Sequence, residues 1–138
     1  MWLRRWPVAR SDLPGEGSLI LSFTAKDVSC TEAIDYQIMQ VMFDTVCEGG
    51  DEDTRDTPYV LIGQDFDFPG PATIEWHDGR EYDGGARIRS VTLARDRVVI
   101  KLDRGLEMDV GFSVGKRKYA QLRDYLGRIV GPKVLTVR

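Results

Sequence analysis

Between residues 72 and 114, four segments alternate apolar and polar side chains: ATIEWHD, ARIRSVTLA, RVVIKLD and LEMDVGFSV. A period of two puts successive side chains on opposite faces of a strand, and a chain bound to that pattern over forty residues cannot be a helical bundle. The connectors HDGREYDGG, RD and RG are short enough for hairpins. In LEMDVGF, Leu106, Met108, Val110 and Phe112 alternate with Glu107 and Asp109, so one face is buried and the other wet. An antiparallel meander is the expectation.

The period then changes. In KRKYAQLRDYLGRIV, Tyr119, Leu122, Leu126 and Ile129 fall on one stripe with Lys116, Arg117, Lys118 and Arg123 outside it, which predicts an amphipathic helix laid on the sheet, with Tyr125 standing apart. KVLTV reads as a returning edge strand, SLILSFT as a first strand and YVLIGQ as a further one. The stretch from Ser29 to Gly50 carries two patterns. Ser29 with Glu32 has capping-box spacing, and Ile34, Ile38, Val41 and Met42 recur at helical intervals, yet Ile34, Tyr36, Ile38 and Met42 also fit period two. The pattern alone slightly favours helix. Residues 1–17, with two Trp, two Pro and two Gly, read as an N-terminal arm, leaving residues 18–138 as one α+β domain, mainly an antiparallel β-sheet with a C-terminal helix packed on it.

A chain of 138 residues, 42% hydrophobic and 30% charged, is long enough to bury one core. It contains no apolar run of membrane-spanning length and no signal-peptide stretch, so a cytoplasmic location and no membrane partner are expected. Cys30 and Cys47 lack metal-site spacing and read as buried free thiols, although a disulfide between them is left open. The net charge of −3 conceals a strong asymmetry. Residues 1–43 carry −1, residues 44–83 carry −10 from twelve acids and two bases, and residues 84–138 carry +8. Either acidic and basic strands pair and neutralise one another, or the acidic segment faces a partner.

Catalytic chemistry finds little support. His77 is the sole histidine; Trp76 and His77, being adjacent, point to opposite strand faces, and Asp78-Gly79 is a turn pair. Asp51, Glu52, Asp53 and Asp56 lack the spacing of a calcium loop. Asp65 and Asp67 alternate with Phe66 and Phe68, which places both carboxylates on one side of an extended strand, suited to a weakly bound cation or a polar face. There is no nucleophile elbow and no phosphate loop. The expectation is no enzyme, no catalytic residue, no metal and no cofactor. The competing reading is a small-ligand or metal-dependent enzyme using His77, Asp78 and Asp83 with Asp65 or Asp67; a third is a nucleic-acid binder working through the basic last third. That third lacks interleaved exposed aromatics, so no nucleic acid is expected.

The order YQIMQV, YVLIGQ, IEWHDGREYDGGARIRSVTLARDRVVIKLD, KYAQLRDYLGRIV resembles the tenth family of immunity proteins of bacterial polymorphic toxin systems. The matching residues are Ile74, Glu75, Trp76, His77 and Asp78, then Tyr82, Gly84 and Gly85, then Ile88, Val91, Leu93 and Arg95, with His77 where the family pattern has asparagine. The resemblance spans about residues 34–130. It implies a non-catalytic protein that binds and neutralises a cognate toxin, and a strand over residues 34–42 in place of the helix. The acidic segment, through Glu48, Asp51, Glu52, Asp53, Asp56, Asp65 and Asp67, is then the expected partner-binding surface, facing a protein toxin of basic character.

Overall fold

The computed structural model describes residues 18–45, 57–68 and 70–138. The element order is β1 (Ser18–Thr24), β2 (Asp27–Ala33), β3 (Ile38–Asp44), β4 (Tyr59–Asp65), β5 (Thr73–His77), β6 (Tyr82–Gly84), β7 (Ile88–Ala94), β8 (Arg97–Leu102), a 3-10 turn (Asp103–Gly105), β9 (Leu106–Gly111), α1 (Lys116–Val130) and β10 (Leu135–Val137). This is the expected α+β architecture, divided between two five-stranded sheets in the orders β1-β9-β8-β7-β10 and β2-β3-β4-β5-β6. The meander is antiparallel throughout the second sheet and over β7-β8-β9. The exceptions are the first and last strands, which join the first sheet parallel to their neighbours, β1 beside β9 and β10 beside β7.

Residues 30–45 form neither a helix nor one strand from 34 to 42, and residues 46 and 47 of that stretch lie outside the described residues. Strands β2 and β3 pair antiparallel from Asp27↔Asp44 to Ala33↔Ile38, and Ile34–Gln37 turn between them. The Glu32 carboxylate, expected as part of a helix cap, accepts the Tyr36 N–H at 3.0 Å across that turn. Ile34, Asp35 and Tyr36 all have positive φ, 53°, 53° and 68°. The periodicity misled because the side chains of a tight turn obey neither period.

Each sheet buries the alternate residues of its strands. Val28, Phe43, Val60 and Trp76 form one cross-strand row of the second sheet, and Val41, Ile62 and Ile74 the next. In the first sheet, Leu21, Met108, Ile100 and Val91 match them, followed by Val110, Val98 and Leu93. Leu122, Tyr125, Leu126 and Ile129 of α1 complete a single core cluster, and the Phe43 and Phe112 rings meet across it at 5.8 Å. Tyr125 is thus buried, and burial raises its phenol pKa. Tyr119 lies only partly covered under the Arg95 guanidinium, 4.9 Å from its ring centroid. The apolar stripe is rotated toward Tyr125 relative to the expected one. Among the described residues no helix is long and apolar enough to cross a membrane.

Candidate functional site

His77 ends β5 on the face opposite Trp76, as strand alternation requires. Its Nδ1 accepts the Gly79 N–H at 3.0 Å, and its ring stacks on Tyr59, directly across the β4–β5 ladder, at 6.0 Å between centroids. Tyr59 Oη donates to Glu75 Oε2 at 3.3 Å. Burial first, and the Glu75 carboxylate second, raise the Tyr59 phenol. Tyr82 faces His77 from β6, so Tyr59, His77 and Tyr82 form one row on the sheet face opposite Trp76, where His77 is buried, Tyr59 half-buried and Tyr82 exposed.

The carboxylates of the competing enzyme reading do not converge there. Asp78 turns back on its own backbone, accepting the N–H groups of Arg80 and Glu81 at 2.8 Å each, and those bonds, Glu81 ahead of Arg80, lower its pKa. Asp83 pairs with Trp76 and so lies on the opposite sheet side from His77, where its carboxylate accepts the N–H of Gly84. Asp65 is at the far end of β4: Tyr59 neighbours His77, Asp65 neighbours Ile38, and six residues of strand separate them by about 20 Å. No group of three or more His, Cys, Asp or Glu suited to a metal ion occurs among the described residues. Among the described residues, surface depressions of about 310 and 220 Å³ lie on the first sheet and beside the β1–β2 connection, and His77, Asp78 and Asp83 do not line these two.

The fingerprint residues serve the passage from one sheet to the other. Glu75 pairs with Gly84 across β5–β6, and the Gly85 N–H reaches the Ile74 carbonyl at 3.2 Å before the chain enters β7. A Cβ on Gly84 would stand 3.2 Å from Glu75 Cβ and 3.3 Å from the Ile74 oxygen, while Gly85 has φ +84°, a region that strains other residues. Two glycines therefore answer two different needs, close approach and a left-handed backbone.

Of the acidic residues proposed to meet a partner, Glu48, Asp51, Glu52, Asp53 and Asp56 lie outside the described residues, as does Cys47. Asp65 and Asp67 do not share the face of an extended strand. Strand β4 stops at Asp65, whose Oδ1 accepts the Asp67 N–H at 3.0 Å and the Gln37 side-chain amide at 3.2 Å, so the alternation DFDF is a turn. Phe66 and Phe68 are released into solvent, 49% and 68% exposed. The Phe66 N–H donates to the Gln37 carbonyl at 2.8 Å, bringing this turn against the β2–β3 turn, where Ile34 and Tyr36 are 65% and 49% exposed. Sequence reasoning passed over these four residues because each was assigned to a strand or helix; the usable signal was large apolar side chains interleaved with acids beside a Pro-Gly-Pro breaker.

Comparison of the chain with models of protein families, with curated proteins and with solved structures yields no match.

Proposed function

We propose that this chain is an immunity protein of the tenth-family type, which neutralises a cognate bacterial toxin by binding it and performs no chemistry of its own. The reading is supported by one observation above others. The residues that carry the resemblance, Glu75, Asp78, Tyr82, Gly84 and Gly85, occupy a single continuous passage between the two sheets, in which each turn-forming group meets a local backbone need. A fingerprint of this kind specifies a scaffold, and a scaffold whose reactive groups are engaged in turns suits recognition better than catalysis. A cytoplasmic location belongs to the same proposal.

The test is co-expression. The C-terminal domain of the protein encoded by the adjacent upstream reading frame should arrest growth when produced alone in a bacterial host, and this chain should restore growth. The purified pair should co-elute. Growth arrest that this chain does not relieve would overturn the reading. Activity of the chain on a small-molecule library, lost on His77→Ala and restored by no binding partner, would favour the enzyme alternative instead.

A further inference from the structure

We infer that the two adjoining turns at the Asp65 end of the second sheet are the partner-binding surface, and that they fit a cationic protein surface containing an apolar recess. This inference rests on the toxin-binding proposal and names its interface. Ile34 and Tyr36 from the β2–β3 turn, with Phe66 and Phe68 from the β4–β5 connection, expose together on the order of 400 Å² of mostly apolar side chain. That is about half of one partner's share of a standard interface, and within the range at which a patch on a soluble protein carries a function. Aromatic side chains held at the centre of a contact supply most of the binding energy in typical interfaces.

The chemistry of the partner follows from the surroundings. Glu32, Asp35, Asp65 and Asp67 intersperse with the four apolar residues, and Glu32, Asp35 and Asp67 are exposed. Among the described residues, Arg128 is a cation placed against the patch, 5.7 Å from the Tyr36 ring centroid, and it also pairs with Asp124 at 3.4 Å. An apolar centre with an acidic surround is complementary to a basic surface with a hollow, and acidic side chains there would be repelled by an acidic partner or by nucleic acid. The turn is also set against stability. Ile34, β-branched and exposed, is held at φ 53°, where its side chain contributes strain and little burial.

The decisive experiment measures binding of the purified, catalytically inactivated C-terminal domain of the upstream-encoded protein to the wild-type chain and to three variants. The paired substitution Phe66→Ser with Phe68→Ser should weaken binding at least about thirtyfold, with the thermal midpoint little changed. Ile34→Asn should weaken binding while leaving the fold intact or firmer, which keeps the test usable if the double variant is poorly folded. Lys101→Ser, exposed on the first sheet, should bind as wild type. If wild type binds and both turn variants bind equally well, the interface lies elsewhere and the toxin-binding proposal stands. If wild type does not bind that domain, both proposals fall. If sedimentation shows a dimer of this chain that the turn variants dissociate, the patch is a self-association surface and the inference is overturned.

Discussion

At the scale of single residues, the conformational demands of the sheet crossing are specific enough to predict. Gly85→Val should lower stability by about 1 to 3 kcal/mol, since a β-branched residue at φ +84° is forced into a disfavoured backbone region. Gly127 sits inside α1, and a Cβ there would meet only Leu135 Cδ2, at an ordinary 3.7 Å. Gly127→Ala should therefore be neutral or stabilising by up to about 1 kcal/mol. Paired thermal melts check both, and equal midpoints for Gly85→Val and wild type would refute the assigned role of the glycine. The Cys30 thiol is pushed up to about 11 by burial, an effect that Lys118 only partly offsets. At pH 8 its thiolate fraction is about a hundredfold below that of an unperturbed cysteine. Because a thiolate of higher pKa is also the better nucleophile, iodoacetamide should modify Cys30 in the folded protein at least about tenfold more slowly than in the same peptide after digestion, as followed by mass spectrometry. The glycine pair was readable from the sequence as a backbone requirement, and Cys30 as a buried free thiol, which the structure leaves free and partly buried beside its cross-strand neighbour Val41; the size of the shift was not readable, because it depends on how the neighbouring elements pack around the sulfur.

Elements with a clean period were legible and turns were not. Strands β5, β7, β8 and β9 follow from alternation and the helix from its stripe, because for these the burial pattern and the backbone period coincide, while β1, β4 and the returning strand β10 follow from short apolar runs. Strand β2, DVSCTEA, was hidden: it lies at the edge of its sheet, Thr31, Glu32 and Ala33 are exposed, and only Val28 is fully buried, so little hydrophobic contrast marks it. The β2–β3 turn was obscured by its own apolar residues. Ile34 gains nothing from its place in that turn and suffers from its backbone, so Ile34→Asn, a residue that tolerates the left-handed region, should raise stability by about 1 kcal/mol. Chemical denaturation would show it as a higher midpoint with an unchanged slope. A lower midpoint would mean that the side chain is packed in a way its exposure does not reveal. The acids around this turn were visible in the sequence as charge, but their apolar companions were assigned to regular structure, and so the patch itself went unread.

For the whole molecule, the charge asymmetry becomes a division between the sheets. Strands β4, β5 and β6 carry Asp65, Glu75 and Asp83, whereas the basic strands β7 and β8 belong to the other sheet, and no ladder joins β4–β6 to β7 or β8. Among the described residues, the acidic strands β4–β6 and the basic strands β7 and β8 therefore do not cancel by pairing with one another. The ion pairs Arg97–Asp109, Arg104–Asp103 and Arg128–Asp124 form within the basic third itself. A molecule polarised in this way should dock to a basic partner faster at low ionic strength. Replacing Asp51, Glu52 and Asp53 together by lysine should slow association with the upstream-encoded domain at low salt, with the difference shrinking as the Debye length falls to about 8 Å near physiological salt. Stopped-flow association rates that are the same for variant and wild type at every salt concentration would assign those three acids to solvent alone. The parallel pairing of β1 with β9 also sets an order of events. The second sheet is encoded without interruption from Asp27 to Gly84, each strand joining its predecessor, while Ser18 must await Leu106, its ladder partner 88 residues later. Local pairings close sooner than distant ones. On a ribosome, then, the β2–β6 meander emerges complete while Leu19, Leu21 and Phe23 still lack the strand they will lie beside, so β1, made before the meander, is secured after it. Pulsed hydrogen exchange during refolding should protect the amides of Val41 and Ile62 before those of β1, and simultaneous protection would mean that the two sheets form in one step.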